Sequence, residues 1–128
     1  MRIRVQDGLP YVTVTLQYRG QQLDLANMLL DTGSAGTLFA ADQVLTVGLQ
    51  YEANDPVQRI RGVGGVEFVF IKRIDHLSVG ELQVSDFDIE VGAMDYGFAI
   101  DGIIGTDFLL QVGAVVDLSR LEIHRASP

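Results

Sequence analysis

Residues 29–34 read Leu-Leu-Asp-Thr-Gly-Ser. An aspartate that follows two leucines stands at the end of an apolar segment. Burial there makes its charge costly unless partners are built around it. Thr32 and Ser34 each bring a hydroxyl, and Gly33 brings an N–H that no side chain shields. A carboxylate presented in this way suits proton transfer, taking a proton from water or handing one on. The chain is 128 residues long and holds one such triplet, which points to a second carboxylate supplied by another subunit.

Other reactive groups offer less. Ser34 and Ser119 have no histidine beside them in a nucleophile motif. His76 and His124 are isolated, with no metal-ligand spacing, so no metal is expected. Absence of cysteine removes disulfides, thiolate nucleophiles and cysteine-metal sites. Asp101 lacks a Thr-Gly cradle and reads as a surface or turn residue. Four of the nine cations, Arg59, Arg61, Lys72 and Arg73, fall on one hairpin. Solvated strand edges are the first reading of them, and a taste for acidic substrate side chains is the sharper one.

The elements that must position Asp31 are mostly strands. Leu9–Tyr18 alternates with period two, Val12, Val14 and Leu16 facing inward and Tyr11, Thr13 and Thr15 outward. Arg19–Gln22 reads as a turn, and Leu23–Leu30 as the strand that runs into Asp31. Thr37–Ala40 resumes as a short strand, and Ala41–Val47 reads as a helical turn or two closed by Gly48. Residues 49–56 read as surface loop. Val57–Gly80 is a long hairpin tipped by Gly62, Val63, Gly64 and Gly65, glycines that favour a tight turn. Val84–Val91 is another alternating strand. Thr106–Gln111 reads as a short helix capped by Thr106 or Asp107. Ala114–Leu118 and Leu121–His124 form a last hairpin. The expected core comprises Val12, Val14, Leu16, Leu25, Leu30, Leu38, Phe87, Ile89, Ile103, Ile104, Leu109 and Val115.

Composition narrows the classes further. Hydrophobic residues make up 48% of the chain, which suits a soluble globular domain spanning residues 1–128. A net charge of −8 with a single lysine argues against a nucleic-acid partner. No apolar run reaches the length of a signal peptide or a membrane span, so a complete chain would be expected in the cytoplasm, without a membrane partner.

Three features follow one another: Leu-Leu-Asp-Thr-Gly-Ser, a glycine-tipped hairpin, and Gly102-Ile103-Ile104-Gly105 before a short helix. Together they resemble the retropepsin-like aspartic proteases from about Leu9 to Ile123. The resemblance implies an all-β fold, a closed acid-protease barrel with one short C-terminal helix. It implies an aspartic endopeptidase, acting on a protein or peptide substrate as a homodimer without cofactor. Asp31 matches the catalytic aspartate, which pairs with its symmetry mate so that two touching carboxylates share one proton. Thr32 matches the residue that locks the two loops across the axis, and Gly33 the glycine that allows close approach. Substrate contacts would fall on Ser34, Ala35, Gly36, the flap residues Gly62, Val63, Gly64 and Gly65, and Ile104. A Ser34 hydroxyl donating to Asp31 would favour an acidic optimum. Leu109 and Leu110 would both lie on the helix face that completes the core.

Departures from the viral pattern are specific. Ala35 and Gly36 stand where two substrate-binding acids are typical, and Thr106 followed by Asp107 stands where an arginine pairs with one of them. Losing both partners strands neither charge. These changes keep open a catalytically weak or inactive peptide-binding or dimerisation module. Viral relatives pair their termini in a shared sheet, and apolar residues in Ile3–Val5 and Leu121–Arg125 permit that here.

Overall fold

A computed structural model describes residues 1–62, 65–94 and 99–126. The strands are β1 (Arg4–Gln6), β2 (Leu9–Tyr18), β3 (Gln21–Leu30), β4 (Leu38–Ala40), β5 (Val57–Gly62), β6 (Gly65–Val79), β7 (Leu82–Gly92), β8 (Gly102–Ile104), β9 (Ala114–Asp117) and β10 (Glu122–Arg125). Two short helices, α1 (Ala41–Val44) and α2 (Thr106–Val112), complete the described elements, with a 3-10 turn at Leu45–Val47 after α1. The fold is therefore all-β with little helix. No helix among the described residues is long and apolar enough to cross a membrane.

Eight strands form one sheet in the order β1-β2-β3-β8-β4-β7-β6-β5, and an additional β2–β6 pairing brings it back on itself. The alternation of β2 does what its pattern predicts: Val12, Val14 and Leu16 are fully buried. Tyr11 departs from expectation and is also buried. It lies just before an irregularity, where Val12 opposes Met28 but Val14 already opposes Leu25, so β3 carries an extra residue. Asp101 takes up the backbone groups that this bulge frees. Its carboxylate accepts the Asn27 N–H at 2.9 Å, and its own N–H donates to the Asn27 carbonyl at 2.8 Å. Far from a free surface residue, Asp101 is a half-buried brace.

β8 is the element on which the site depends. It runs parallel to β3, with Leu30 opposite Ile104, and antiparallel to β4, with Leu38 opposite Ile103. The strands on either side of the Asp31 loop are thus held apart by a third strand from far along the chain. β4 pairs in parallel with β7 on its other side, Leu38 opposite Glu90.

Beneath this layer lies one cluster of buried side chains, including Met28, Phe39, Ile74, Leu77, Ile89, Ile104 and Phe108. Phe87 meets Phe108 edge to face, ring centres 6.1 Å apart. Ile103 and Val115, expected in the core, are only half-buried. On α2, Leu109 is buried, but Leu110 is 80% exposed, because successive helical residues turn to different faces.

The chain ends meet within one molecule. Ile3 N–H donates to the Leu121 carbonyl and Ile123 N–H to the Met1 carbonyl, each at 2.8 Å. β10 therefore lies between the N-terminal residues and β9, and β9 has no strand on its outer side among the described residues. The 49–56 segment is also less superficial than its composition suggests. Leu49 is buried, and the Lys72 ammonium, itself buried, binds Asp55 at 2.7 Å and also Glu52.

Candidate active site

β3 delivers Asp31 to the surface with its backbone fixed, because the Asp31 N–H donates to the Ile104 carbonyl at 3.0 Å. The chain then turns, and Ser34 N–H closes on the Asp31 carbonyl at 3.2 Å. The turn brings Gly33 N–H to Asp31 Oδ1 at 2.9 Å. A Cβ on Gly33 would stand 3.2 Å from that oxygen, so glycine keeps the approach open. The expected donor, Ser34, points elsewhere: its Oγ donates to the Gly36 carbonyl at 2.8 Å and tightens the loop instead. Asp31 is half-buried and Thr32 and Gly33 are exposed, so the triplet lies at the surface of the single chain.

Residues that the sequence reading set aside hold this loop in place. Thr106 offers both its N–H, at 2.8 Å, and its hydroxyl, at 3.1 Å, to the Ser34 carbonyl. Asp107 N–H reaches the Ala35 carbonyl at 3.3 Å. The Asp107 carboxylate accepts the Thr37 hydroxyl at 2.7 Å, the Thr37 N–H at 3.1 Å and the Phe108 N–H at 2.7 Å. Thr37 is fully buried, and its hydroxyl oxygen accepts the Gly105 N–H at 3.1 Å. Gly105, not Thr106 or Asp107, occupies the cap position of α2, and Asp107 meets one first-turn donor, the Phe108 N–H. The rest of their bonding capacity goes to the loop. Contact between loop and helix is so close that a Cβ on Gly105 would stand 2.3 Å from the Gly36 carbonyl oxygen. Thr37 was legible only as the start of a strand, and its link to Asp107 spans 70 residues.

Above the loop opens a cleft of roughly 700 Å³. Gly33, Ser34, Ala35 and Gly36 line one side, and Gln58 and Ile60 of β5 and Ile71 of β6 the other. Ile104 lines none of it. It is fully buried, and its carbonyl accepts the Asp31 N–H, so it packs beneath the loop as the resemblance implies for Ile103, Ile104 and Gly105. Gly62 and Gly65 pair at the end of the β5–β6 hairpin. Val63 and Gly64 lie outside the described residues.

The cleft is acidic. Asp88 and Glu90 of β7 reach into it, together with Asp107. Asp88 is paired with Arg73 at 2.9 Å. Burial, followed by the negative charges of Asp107 and Glu67, raises the Glu90 carboxyl above its ordinary range. Two of the four hairpin cations are accounted for internally, Lys72 by Asp55 and Glu52, and Arg73 by Asp88. Arg59 alternates with the cleft-lining Gln58 and Ile60 and so lies on the opposite face of the hairpin. A cleft that attracts acidic side chains has no support from these three residues.

Comparison with curated proteins gives no match. The family model described as aspartyl protease matches residues 12–108, a span that runs from β2 through the Asp31 loop and the hairpin to the first turn of α2. With three quarters of its length matched to that model, the chain belongs to the aspartyl protease family.

Proposed function

We propose that this protein is an aspartic endopeptidase that hydrolyses peptide bonds with a water held between Asp31 and the Asp31 of a second copy. The observation that carries the reading is the Asp31 loop itself: a carboxylate fixed through its backbone, beside a cleft whose floor is Gly33–Gly36. In the reaction the ionised carboxylate takes a proton from the water as its oxygen attacks the scissile carbonyl carbon. The protonated carboxylate gives its proton to the carbonyl oxygen. Collapse of the resulting diol breaks the C–N bond as the amine nitrogen is protonated, and no acyl-enzyme forms.

The exposure of Thr32 and Gly33 supports the dimer, since a second copy is needed to cover the triplet and bring a second carboxylate. Thr32 is the residue we assign to the lock across the axis. The unpaired outer edge of β9 offers backbone groups through which two copies can join. We read residues 1–128 as a single domain and the sheet as a closed barrel, supported by the β2–β6 pairing and the continuous core. The Gly62–Gly65 hairpin end is assigned to a flap that closes over an extended peptide.

The test is incubation with an unbiased peptide mixture from about pH 3.5 to about 7.5, where carboxylate pairs titrate, with Asp31→Asn alongside. Cleavage by the wild type that the folded variant loses establishes the aspartic peptidase. A folded dimer that binds peptides but turns none over identifies a peptide-binding module instead.

A further inference from the structure

Glu90 is set into the cleft by its neighbours on both sides. Its N–H donates to the Thr37 carbonyl at 2.9 Å, and it stands opposite Leu38 on β4 and Ile71 on β6. Its carboxylate lies over Gly36, so closely that a Cβ there would be 2.1 Å from Oε1. Gly36 is one of the positions where the sequence lacks an expected acid, and the space it leaves is filled by an acid from another strand. The remaining acids of the cleft are engaged. Asp88 holds Arg73, and Asp107 accepts hydrogen bonds from Thr37 and Phe108. Glu90 is half-buried and has no hydrogen-bond or ion-pair partner among the described residues.

We propose that Glu90 is a specificity-determining residue whose carboxylate binds a lysine or arginine side chain of the substrate next to the scissile bond. The proposal rests on the peptidase reading. A half-buried carboxylate without a partner is costly, and an arriving cation removes that cost while forming a charge-assisted hydrogen bond. The charges of Asp107 and Glu67, which act on Glu90, attract a full cation more strongly than a neutral amide. A basic side chain is therefore favoured over the substrate backbone as the partner of Glu90. The overall negative charge of the protein steers such substrates in the same direction.

The experiment compares wild type, Glu90→Gln and Glu90→Lys on a peptide library read by mass spectrometry. In parallel, the same Glu90 changes in an Asp31→Asn background are titrated with peptide pairs that differ only in Lys against norleucine. The expected result is enrichment of Lys or Arg at one subsite. Glu90→Gln should lose about ten- to thirtyfold in kcat/KM for the basic peptides, with the neutral peptides little changed. Glu90→Lys should shift the preference to acidic residues. Cleavage with no basic preference, or with equal losses for basic and neutral peptides, overturns the role of Glu90 and leaves the peptidase reading intact. Selective binding of Lys peptides that depends on Glu90, without cleavage by the wild type, upholds Glu90 and overturns the peptidase. Neither cleavage nor binding overturns both.

Discussion

Replacing Thr37 by valine keeps the shape of the side chain and removes only its hydroxyl, so the cost can be worked from the bonds that hydroxyl makes. Two are lost: donation to Asp107 Oδ1 at 2.7 Å and acceptance of the Gly105 N–H at 3.1 Å. A buried donor left without a partner costs about 1–3 kcal/mol, and a hydrogen bond to a charged group contributes about 1.5–3 kcal/mol. Asp107 is half-buried and keeps the Thr37 and Phe108 N–H bonds, so only part of the second figure applies. The added methyl recovers about 0.8 kcal/mol of burial. The net expectation is a loss of about 1–4 kcal/mol, or about 4–15 °C in Tm for a chain of this length. Thr37→Ser keeps both bonds and loses one methyl, for about 1 kcal/mol. Urea unfolding and thermal melts of the two variants check the comparison, with peptide cleavage measured alongside, since the same bonds hold the Asp31 loop. If the valine variant proves no less stable than the serine variant, the loop is not held as described.

Three further contrasts follow from the geometry. Gly105→Ala drives a Cβ into the Gly36 backbone and should cost about 3 kcal/mol or more, whereas Gly36→Ala meets only the movable end of Glu90 and should cost under about 1 kcal/mol; chemical denaturation of the pair decides. Hydrogen bonds from Lys72 hold Glu52 and Asp55 below their ordinary range, so the unfolded state binds protons first and their stabilisation is lost as the pH falls below about 4.5. Lys72→Met should flatten the stability profile over that acid range. Glu90 has the opposite sign: raised in the folded state, it costs stability as the pH rises, so Glu90→Gln should gain on wild type at neutral pH and not in acid. Leu109→Ala should cost about 2–4 kcal/mol and Leu110→Ala under about 0.5 kcal/mol, which melts of the two variants compare.

Local pattern made much of this molecule readable. The alternation of Val12, Val14 and Leu16, Gly48 at the end of the 41–47 turn and the leucines before Asp31 all act through near neighbours, and the structure follows them. What the sequence hid depends on register between distant segments. Nothing around Glu90 says that β7 will pair with β4 and lay that carboxylate over Gly36. Nothing around Thr37 says that its hydroxyl will meet Asp107. Ser34 misled for a related reason, since a hydroxyl has several acceptors in reach and the loop offered the Gly36 carbonyl. The Thr106–Asp107 pair looked like a helix cap, and beyond the Phe108 N–H that Asp107 does accept, its carboxylate went to Thr37, 70 residues away. The internal pairing of Met1 and Ile3 with β10 was likewise invisible, because strand ends carry no mark of whether their partner is the same chain or another.

The strand β8 and the first turn of α2 come late in the chain, yet they fix the loop that carries Asp31. During synthesis the ribosome releases Asp31 well before Asp107. At ordinary elongation rates the interval is about 4–15 s. Until residues 102–107 emerge, the 31–37 segment lacks the Ile104 carbonyl, the Gly105 contact and the Thr106 and Asp107 bonds that give it shape. The Asp31 loop of a nascent chain therefore has no fixed shape until β8 and the first turn of α2 have emerged, and order at the candidate site arrives with the pairing of β8 between β3 and β4.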